Sequence, residues 1–417
     1  MIGYDEALAT ILRETPSPQC ERYVAQQALG RVLAQAVTSP DALPPFDNSA
    51  MDGFALHAGG RTLAAGSAFD VRGSQAAGDA RIDAGGGAWE IMTGARLPEG
   101  LDTVVPVEQV ELLDETTAPC RRIRLRTDVA TGQHIRLRGS DVALDAPVLA
   151  AGERLLPQHL MLLAALGVAE VAVARKPRVA VIATGRELVD DPAQPLASGE
   201  IRNCNAPFLA ARLIAAGAEV VYRRTVGDAP EAFRAALSEA LQAGAEVVLS
   251  TGAVSMGRYD FVPDTLRSLD ARVHFHKVRI RPGKPLLFAK LASGALYFGL
   301  PGNPVSAAVG LRFLVEPALR ATLGLAAERP LRVPLAEAYA KRAPLRFHLK
   351  ARLDSDGEGR LRAHVLPGQE SFRILPLLAS NAWVVLPEHV DAFAAGTLVD
   401  VYGLGHLQAP SLEDTTP

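Results

Sequence analysis

The chain reads as a multidomain α/β protein. A central parallel-sheet α/β domain is expected, with an elongated stalk of helices and strands, a small β domain inserted in that stalk, and a C-terminal β domain. Three observations lead there. First, 417 residues exceed one ordinary domain, so about two to four are expected. Second, between residues 178 and 250 apolar runs alternate with helical stretches, which implies right-handed βαβ units and a parallel sheet. Third, the stretches 46–138 and 328–417 hold short alternating runs and loop residues, the mark of small β domains. The expected boundaries are 1–45 with 139–175 for the stalk, 46–138 for the inserted β domain, 176–327 for the α/β domain and 328–417 for the last.

Composition excludes several classes. With 48% hydrophobic and 21% charged residues the chain is globular. Its 43 basic and 46 acidic side chains leave a net charge of −3, no footprint for nucleic acid or an anionic membrane. Cys20, Cys120 and Cys204 are far apart and form no Cys-x-x-Cys pair, so neither a disulfide framework nor a zinc knuckle is expected. The acidic N-terminus lacks the order of a signal peptide, and the apolar stretch 155–174 is broken by Gln158, His159 and Glu170. A cytoplasmic protein is expected.

In chain order, residues 4–14 and 20–36 read as amphipathic helices, ending at the Pro-rich linker 39–45. Asp47 to Gly53 reads Asp-Asn-Ser-Ala-Met-Asp-Gly, polar and without helical period. Two more unusual loops follow at 91–100, with Met92-Thr93-Gly94, and at 138–141, Arg-Gly-Ser-Asp. Residues 153–174 return to helix and strand. The apolar strand 179–183 runs into Thr184-Gly185-Arg186-Glu187-Leu188. A helix at 206–216, a strand at 219–223, a helix at 230–243 and a strand at 246–250 follow. Strands are expected again near 346–353, 361–366, 382–386 and 397–402.

The stretch 249–310 holds three turns of small residues, each after an apolar run: Ser250-Thr251-Gly252-Ala253-Val254-Ser255, Arg281-Pro282-Gly283-Lys284-Pro285 and Leu300-Pro301-Gly302-Asn303-Pro304. Glycine lets backbone N–H groups approach a ligand, and hydroxyls add donors. Asn303 before Pro304 has the form of an N-cap with Pro at the first helical position, opening a helix to about Leu319. Such a start attracts anions. In parallel sheets ligands bind beyond the carboxyl ends of the strands, where 184–187, Gly227-Asp228 and 251–260 all fall. A phosphate or oxyanion site is expected, with Lys284 and Arg281 neutralising charge. Asp52, Glu187, Asp228 and Asp260 are loop acids beside small residues, with Asp141 a looser fifth; carboxylates at a phosphate site commonly hold Mg²⁺. His274 and His276 share a strand face without a third ligand, and Cys204 reads as packing. No Gly-x-Gly-x-x-Gly or Walker lysine pattern occurs.

The loops 47–53, 91–100, 138–141, 184–188, 251–260, 282–285 and 300–307 occur in the order seen in the MoeA family of molybdopterin molybdenumtransferases, which the chain resembles over essentially its whole length. It is also similar to the E domain of gephyrin. The resemblance implies a four-domain, elongated, head-to-tail homodimer. It also implies the last step of molybdenum cofactor synthesis: adenylylated molybdopterin and molybdate bind, Mg²⁺ assists, and AMP leaves. Carried over by motif, the catalytic set is Asp52, Thr93, Glu187, Asp228 and Asp260, with Glu187, Asp228 and Asp260 as metal ligands. Substrate would be bound by Ser250, Thr251, Gly252, Ser255, Lys284, Pro301, Gly302, Asn303 and Pro304. Molybdopterin adenylyltransferase and molybdoenzyme maturation factors are the implied partners.

Four positions depart from the family pattern: Arg186 for Asp, Ala253 for the second Gly, Arg281 for Lys, and Asn203 where an acid is common. Ala253 resists positive φ, and Arg186 with Asn203 makes the site less acidic. The rival readings are the pathway's adenylyltransferase, which lacks the loops at 47–53 and 91–94, and a gephyrin-like scaffold, which needs no loop carboxylates.

Overall fold

The computed structural model describes residues 1–113, 121–253, 261–341, 344–355 and 357–412. Its central sheet has the strand order Glu219–Val226, Arg178–Thr184, Val247–Thr251, Leu296–Leu300, Leu287–Lys290, Arg272–Phe275. The first four are parallel, as the alternation of strand and helix requires. The last two extend the sheet antiparallel, making it mixed. A hairpin joins Leu287–Lys290 to Leu296–Leu300, and Gly294 takes φ +88 in its turn, so no crossover helix is needed there.

Both faces of this sheet are covered, which explains its unbroken apolar strands. Val179, Val181, Ala183, Leu249 and Phe298 pack with Leu209 and Leu213 of the helix Asn205–Ala215. The alternate residues Ala180, Ile182, Val248 and Tyr297 meet Phe233, Ala236 and Leu237 of the helix Pro230–Gln242. The helix opened by Pro304 runs through a π-turn at Leu311–Val315 to Thr322.

Two sequence expectations change. The helix Tyr4–Glu14 forms, but Tyr4, Ala7 and Ile11 are buried in the central core, and the Tyr4 hydroxyl donates to the Phe313 carbonyl at 2.9 Å. Residues 20–36 are not a helix. Cys20–Val24 is a strand paired antiparallel with Glu170–Ala174, followed by a 3₁₀ turn at Ala25–Gln27 and irregular chain. The apolar residues Ala25, Ala28 and Leu33 that mimic helical spacing share a core with Leu149, Leu155, Leu163, Val171 and Val173. Their partners lie far along the chain, where a local period cannot register them.

The segment 46–138 forms a six-stranded sheet of its own, ordered Thr103–Pro106, Gly53–Leu56, Ala88–Ile91, Ala68–Gln75, Arg122–Leu125, Val110–Leu113. Gly53 is required there: a Cβ at that position would stand 1.9 Å from the Val105 carbonyl oxygen. In the last part of the chain, Arg346–Ser355, Ala382–Leu386, Leu398–Gly403 and Leu331–Pro334 pair in sequence. Ile280–Arg281 adds to this sheet beside Arg346 and Phe347, tying it to the central domain. Arg312, 3% exposed, completes the tie: it donates to the Gly403 carbonyl at 2.9 Å and to Glu328 at 2.6 Å.

His348 lies at that junction, 1% exposed, its ring 4.3 Å from Phe313 and 5.8 Å from Tyr4. Neither ring nitrogen has a hydrogen-bond partner among the described residues. Burial holds its pKa well below the ordinary value, so it stays neutral when folded. The unfolded imidazole binds a proton as pH falls below about 6.5, and the folded one does not, so stability declines with acidity from there. His348→Phe is expected to raise stability by about 1–2 kcal/mol at pH 7, by removing two unsatisfied buried atoms. The gain should grow toward pH 5; urea unfolding of both proteins at the two pH values measures it.

Candidate functional site

The carboxyl ends of the four parallel strands gather most of the expected residues. Thr184 ends its strand and donates through Oγ1 to the Thr251 carbonyl at 3.0 Å, locking two neighbouring strand ends together. Gly185 follows at φ +153, and the Glu187 carboxylate folds back beside it; a Cβ on Gly185 would lie 2.7 and 2.8 Å from its two oxygens. The Arg186 N–H points to Asp228 Oδ2 at 3.4 Å, bringing in the acid that follows the strand Glu219–Val226. Glu187 is half-buried and Asp228 exposed, so both carboxylates are within reach of a ligand.

The next two turns meet each other. Gly252 adopts φ +90 and donates its N–H to the Leu300 carbonyl at 3.2 Å. A Cβ on Gly302 would lie 3.9 Å from the Gly252 Cα, so the Gly252 and Gly302 turns lie side by side. The Asn205 carboxamide donates to the Gly302 carbonyl at 2.7 Å and sets the orientation of that turn. The sequence marks Asn205 as a site residue only by its place one position after Cys204, at the start of the helix Asn205–Ala215.

Several expectations are corrected here. Ser250 is fully buried and its hydroxyl bonds to Tyr297, because alternation along the strand turns it into the core. The helix start is less open to an anion than its sequence implies. Pro304 has no N–H, the Val305 N–H donates to the Ser371 carbonyl at 2.9 Å, and the Ala307 N–H donates to the Asn303 carbonyl. Asn303 occupies the cap position by its backbone alone, with no side-chain cap bond. Asn203, 8% exposed, is structural: it bonds Asp190 and Thr225 and accepts the Ala206 N–H at 3.1 Å. Asp260 and Ser255 lie outside the described residues.

Ala253 takes φ +49, the left-handed conformation that its Cβ disfavours by about 1–2 kcal/mol. Ala253→Gly is therefore expected to stabilise the protein by about 1 kcal/mol, the relieved strain exceeding the added freedom of the unfolded chain. A thermal melt showing no gain would mean that the turn carries no strain.

Lys284 is exposed on the turn after Ile280–Arg281, and Arg281 stacks 5.3 Å over the Phe347 ring. Arg281, Tyr339 and Phe347 line a cavity of about 760 Å³ between this turn and the C-terminal sheet.

A second group of the expected residues lies in the 46–138 domain. Asp52 Oδ1 accepts both the Thr93 N–H at 2.6 Å and the Thr93 hydroxyl at 2.8 Å. Those bonds, the N–H first, hold the Asp52 carboxyl below the usual carboxylate range. The surrounding loops are clamped by backbone: Gly94 N–H to Ser49 carbonyl, Leu97 N–H to Asp47 carbonyl and Ala50 N–H to His134 carbonyl. Asp47 Oδ1 accepts the Arg138 N–H at 2.6 Å. The three loops noted in sequence, 47–53, 91–100 and 138–141, thus form one rim. Asp52 and Thr93 are both exposed on it.

Parallel strands that end in glycine turns beside two carboxylates define an α/β protein of the open-sheet class. Comparison makes this specific. The model described as "Probable molybdopterin binding domain" matches residues 180–321, the MoeA N-terminal region (domain I and II) matches 2–167, and the MoeA C-terminal region (domain IV) matches 332–404. The molybdopterin molybdenumtransferase of Synechococcus elongatus is 39% identical over 97% of this chain and 100% of its own length. That of Bacillus subtilis is 33% identical over 96% and 93%. Two crystal structures of a molybdopterin biosynthesis MoeA protein from Pyrococcus horikoshii superpose with TM-scores of 0.82 and 0.80, at 28% and 27% identity. They cover 97% and 96% of this chain and 99% of each of those chains. The chain belongs to the molybdopterin molybdenumtransferase (MoeA) family.

Proposed function

We propose that the chain inserts molybdenum into adenylylated molybdopterin with Mg²⁺-dependent release of AMP, the final step of molybdenum cofactor synthesis. The observation that carries this reading is the convergence of the Gly185, Gly252 and Gly302 turns with Glu187 and Asp228 at one sheet edge. It occurs in a chain that aligns end to end with molybdopterin molybdenumtransferases. Relatives that cover the stretches 2–167 and 332–404 as well as the central domain do not favour the adenylyltransferase or scaffold readings.

In this reading the Gly252 and Gly302 turns bring backbone close to the substrate's anionic groups, and Lys284 and Arg281 offset their charge. Thr251, Pro301, Asn303 and Pro304 shape the same turns. Among the described residues no cluster of three or more His, Cys, Asp or Glu side chains is placed to hold a metal. Glu187 and Asp228 nevertheless suit Mg²⁺, which takes one or two carboxylates and fills its shell with waters and phosphate oxygens. Bound there, Mg²⁺ would neutralise charge on the phosphoanhydride. Asp260 is proposed as a third acid. Molybdate is the second substrate.

The four-domain division given above is proposed with one amendment, the helix Tyr4–Glu14 counted with the central core that buries it. The Asp52–Thr93 bonds stay within the β domain, and along the chain the segments that form the core of Leu33, Leu155 and Val173 flank that domain on both sides. We propose that a head-to-tail homodimer brings Asp52 of one subunit to the Glu187 and Asp228 edge of the other. No helix among the described residues is long and apolar enough to cross a membrane; a cytoplasmic site of action is proposed. Hand-over partners would be a molybdopterin adenylyltransferase and molybdoenzyme maturation factors.

The test is AMP release from adenylylated molybdopterin. Release should need both molybdate and Mg²⁺ and stop in EDTA. Equal release without either would sink the assignment.

A further inference from the structure

One charged group at the sheet edge has no part in the reading above. Arg186 sits between Gly185 and Glu187, in the turn that leaves the strand Arg178–Thr184. Its backbone N–H is engaged by Asp228 at 3.4 Å, which fixes the turn, while the residue itself is exposed. The guanidinium forms no ion pair with any described residue, although Glu187 is its neighbour in the chain and Asp228 meets its backbone N–H. Other exposed or half-buried arginines are paired, as Arg212 is with Glu316 and Arg224 with Glu239. An exposed guanidinium without an ion pair among the described residues, in the turn that carries Glu187, is a fixed positive charge open to an anionic ligand.

We propose that Arg186 is a substrate-binding residue: it supplies from the protein part of the positive charge that a divalent cation brings to the substrate's phosphate. This rests on the proposed function. A guanidinium keeps its charge at every working pH and offers paired N–H donors that match two phosphate oxygens. It also shares a turn with Glu187, so its positive charge weakens the hold of the Glu187 and Asp228 edge on Mg²⁺ without removing it. Both effects act in one direction: nucleotide phosphate is held with a reduced requirement for the metal.

AMP, the product of the proposed reaction, is the probe. Its binding to the full-length protein is measured by calorimetry in Mg²⁺ and in EDTA, for wild type, Arg186→Ala and Arg186→Lys. The wild-type Kd is expected to rise less than about threefold in EDTA. Arg186→Ala should bind about tenfold or more weakly in EDTA, the loss of one charge-assisted contact, and recover most of that in Mg²⁺. Arg186→Lys should fall between them. Unchanged thermal melts show that the exposed substitutions leave the fold intact. If wild type binds AMP and Arg186→Ala binds it equally well in EDTA, the role of Arg186 is refuted while the nucleotide site stands. If wild type binds no AMP in either buffer, the proposed function fails and the inference with it.

Discussion

Asp52→Ala is expected to cut AMP release by about 10²–10⁴-fold, the usual worth of a positioned group that moves a proton or orients the reacting atoms. The protein should melt within about 2 °C of wild type. The reason for the contrast is geometric. Asp52 is exposed, and one of its carboxylate oxygens takes both bonds from Thr93. Nothing in the core depends on it, and Oδ2 takes no part in those two bonds. The lowered pKa keeps the group charged through the neutral range, so its activity contribution should not titrate above about pH 5. Thr93→Ala should be milder, because the Thr93 N–H still holds Asp52, and Thr93→Ser should restore the hydroxyl bond and the rate. Near-normal turnover in Asp52→Ala would reduce the pair to a loop clasp.

Gly252→Ala is expected to lower both stability and activity. Its φ of +90 is costly for any residue with a Cβ, and that atom would stand 2.5 Å from the Thr184 carbonyl oxygen and 2.7 Å from Thr184 Oγ1. Thr184 is 4% exposed and tied to Thr251, so it cannot step aside without opening two strand ends. The combined strain is about 2–4 kcal/mol. A displacement of the turn by about 1 Å can cost a further 10²-fold in rate. Denaturant unfolding and AMP release together test this. A folded, fully active Gly252→Ala would show that the turn does not position substrate. The adjacent Ala253→Gly is expected to move stability the other way, so neighbouring positions in one turn distinguish strain from space.

The parallel part of the fold was legible because both faces of its strands are buried, leaving unbroken apolar runs between amphipathic helices. Gly185 and Gly252 announced the edge turns for the same reason that they are needed: side chains would collide there or distort the backbone. What was illegible depends on partners distant in the chain. Cys20–Val24 is a strand only because Glu170–Ala174 lies beside it. The Val305 N–H is occupied only because Ser371 arrives from a turn after the strand Leu361–Val365, and no helix-start pattern contains that information. Asn203 read as a lost acid until its three hydrogen bonds placed it under the loop and not on it. Ala253 shows the reverse case: residue type argued against positive φ, and the turn imposes it regardless.

In the proposed homodimer one working site is assembled from the Asp52–Thr93 rim of one subunit and the Glu187–Asp228 edge of the other. Mixing Asp52→Ala with Asp228→Ala subunits, each inactive as a homodimer, tests it most directly. Under random exchange half of the dimers are mixed and each mixed dimer holds one intact site, so activity should return to about a quarter of wild type. Exchange is followed independently by mass spectrometry of tagged subunits. If mixed dimers form and activity stays at the level of the single mutants, both halves act within one chain and the shared site is contradicted.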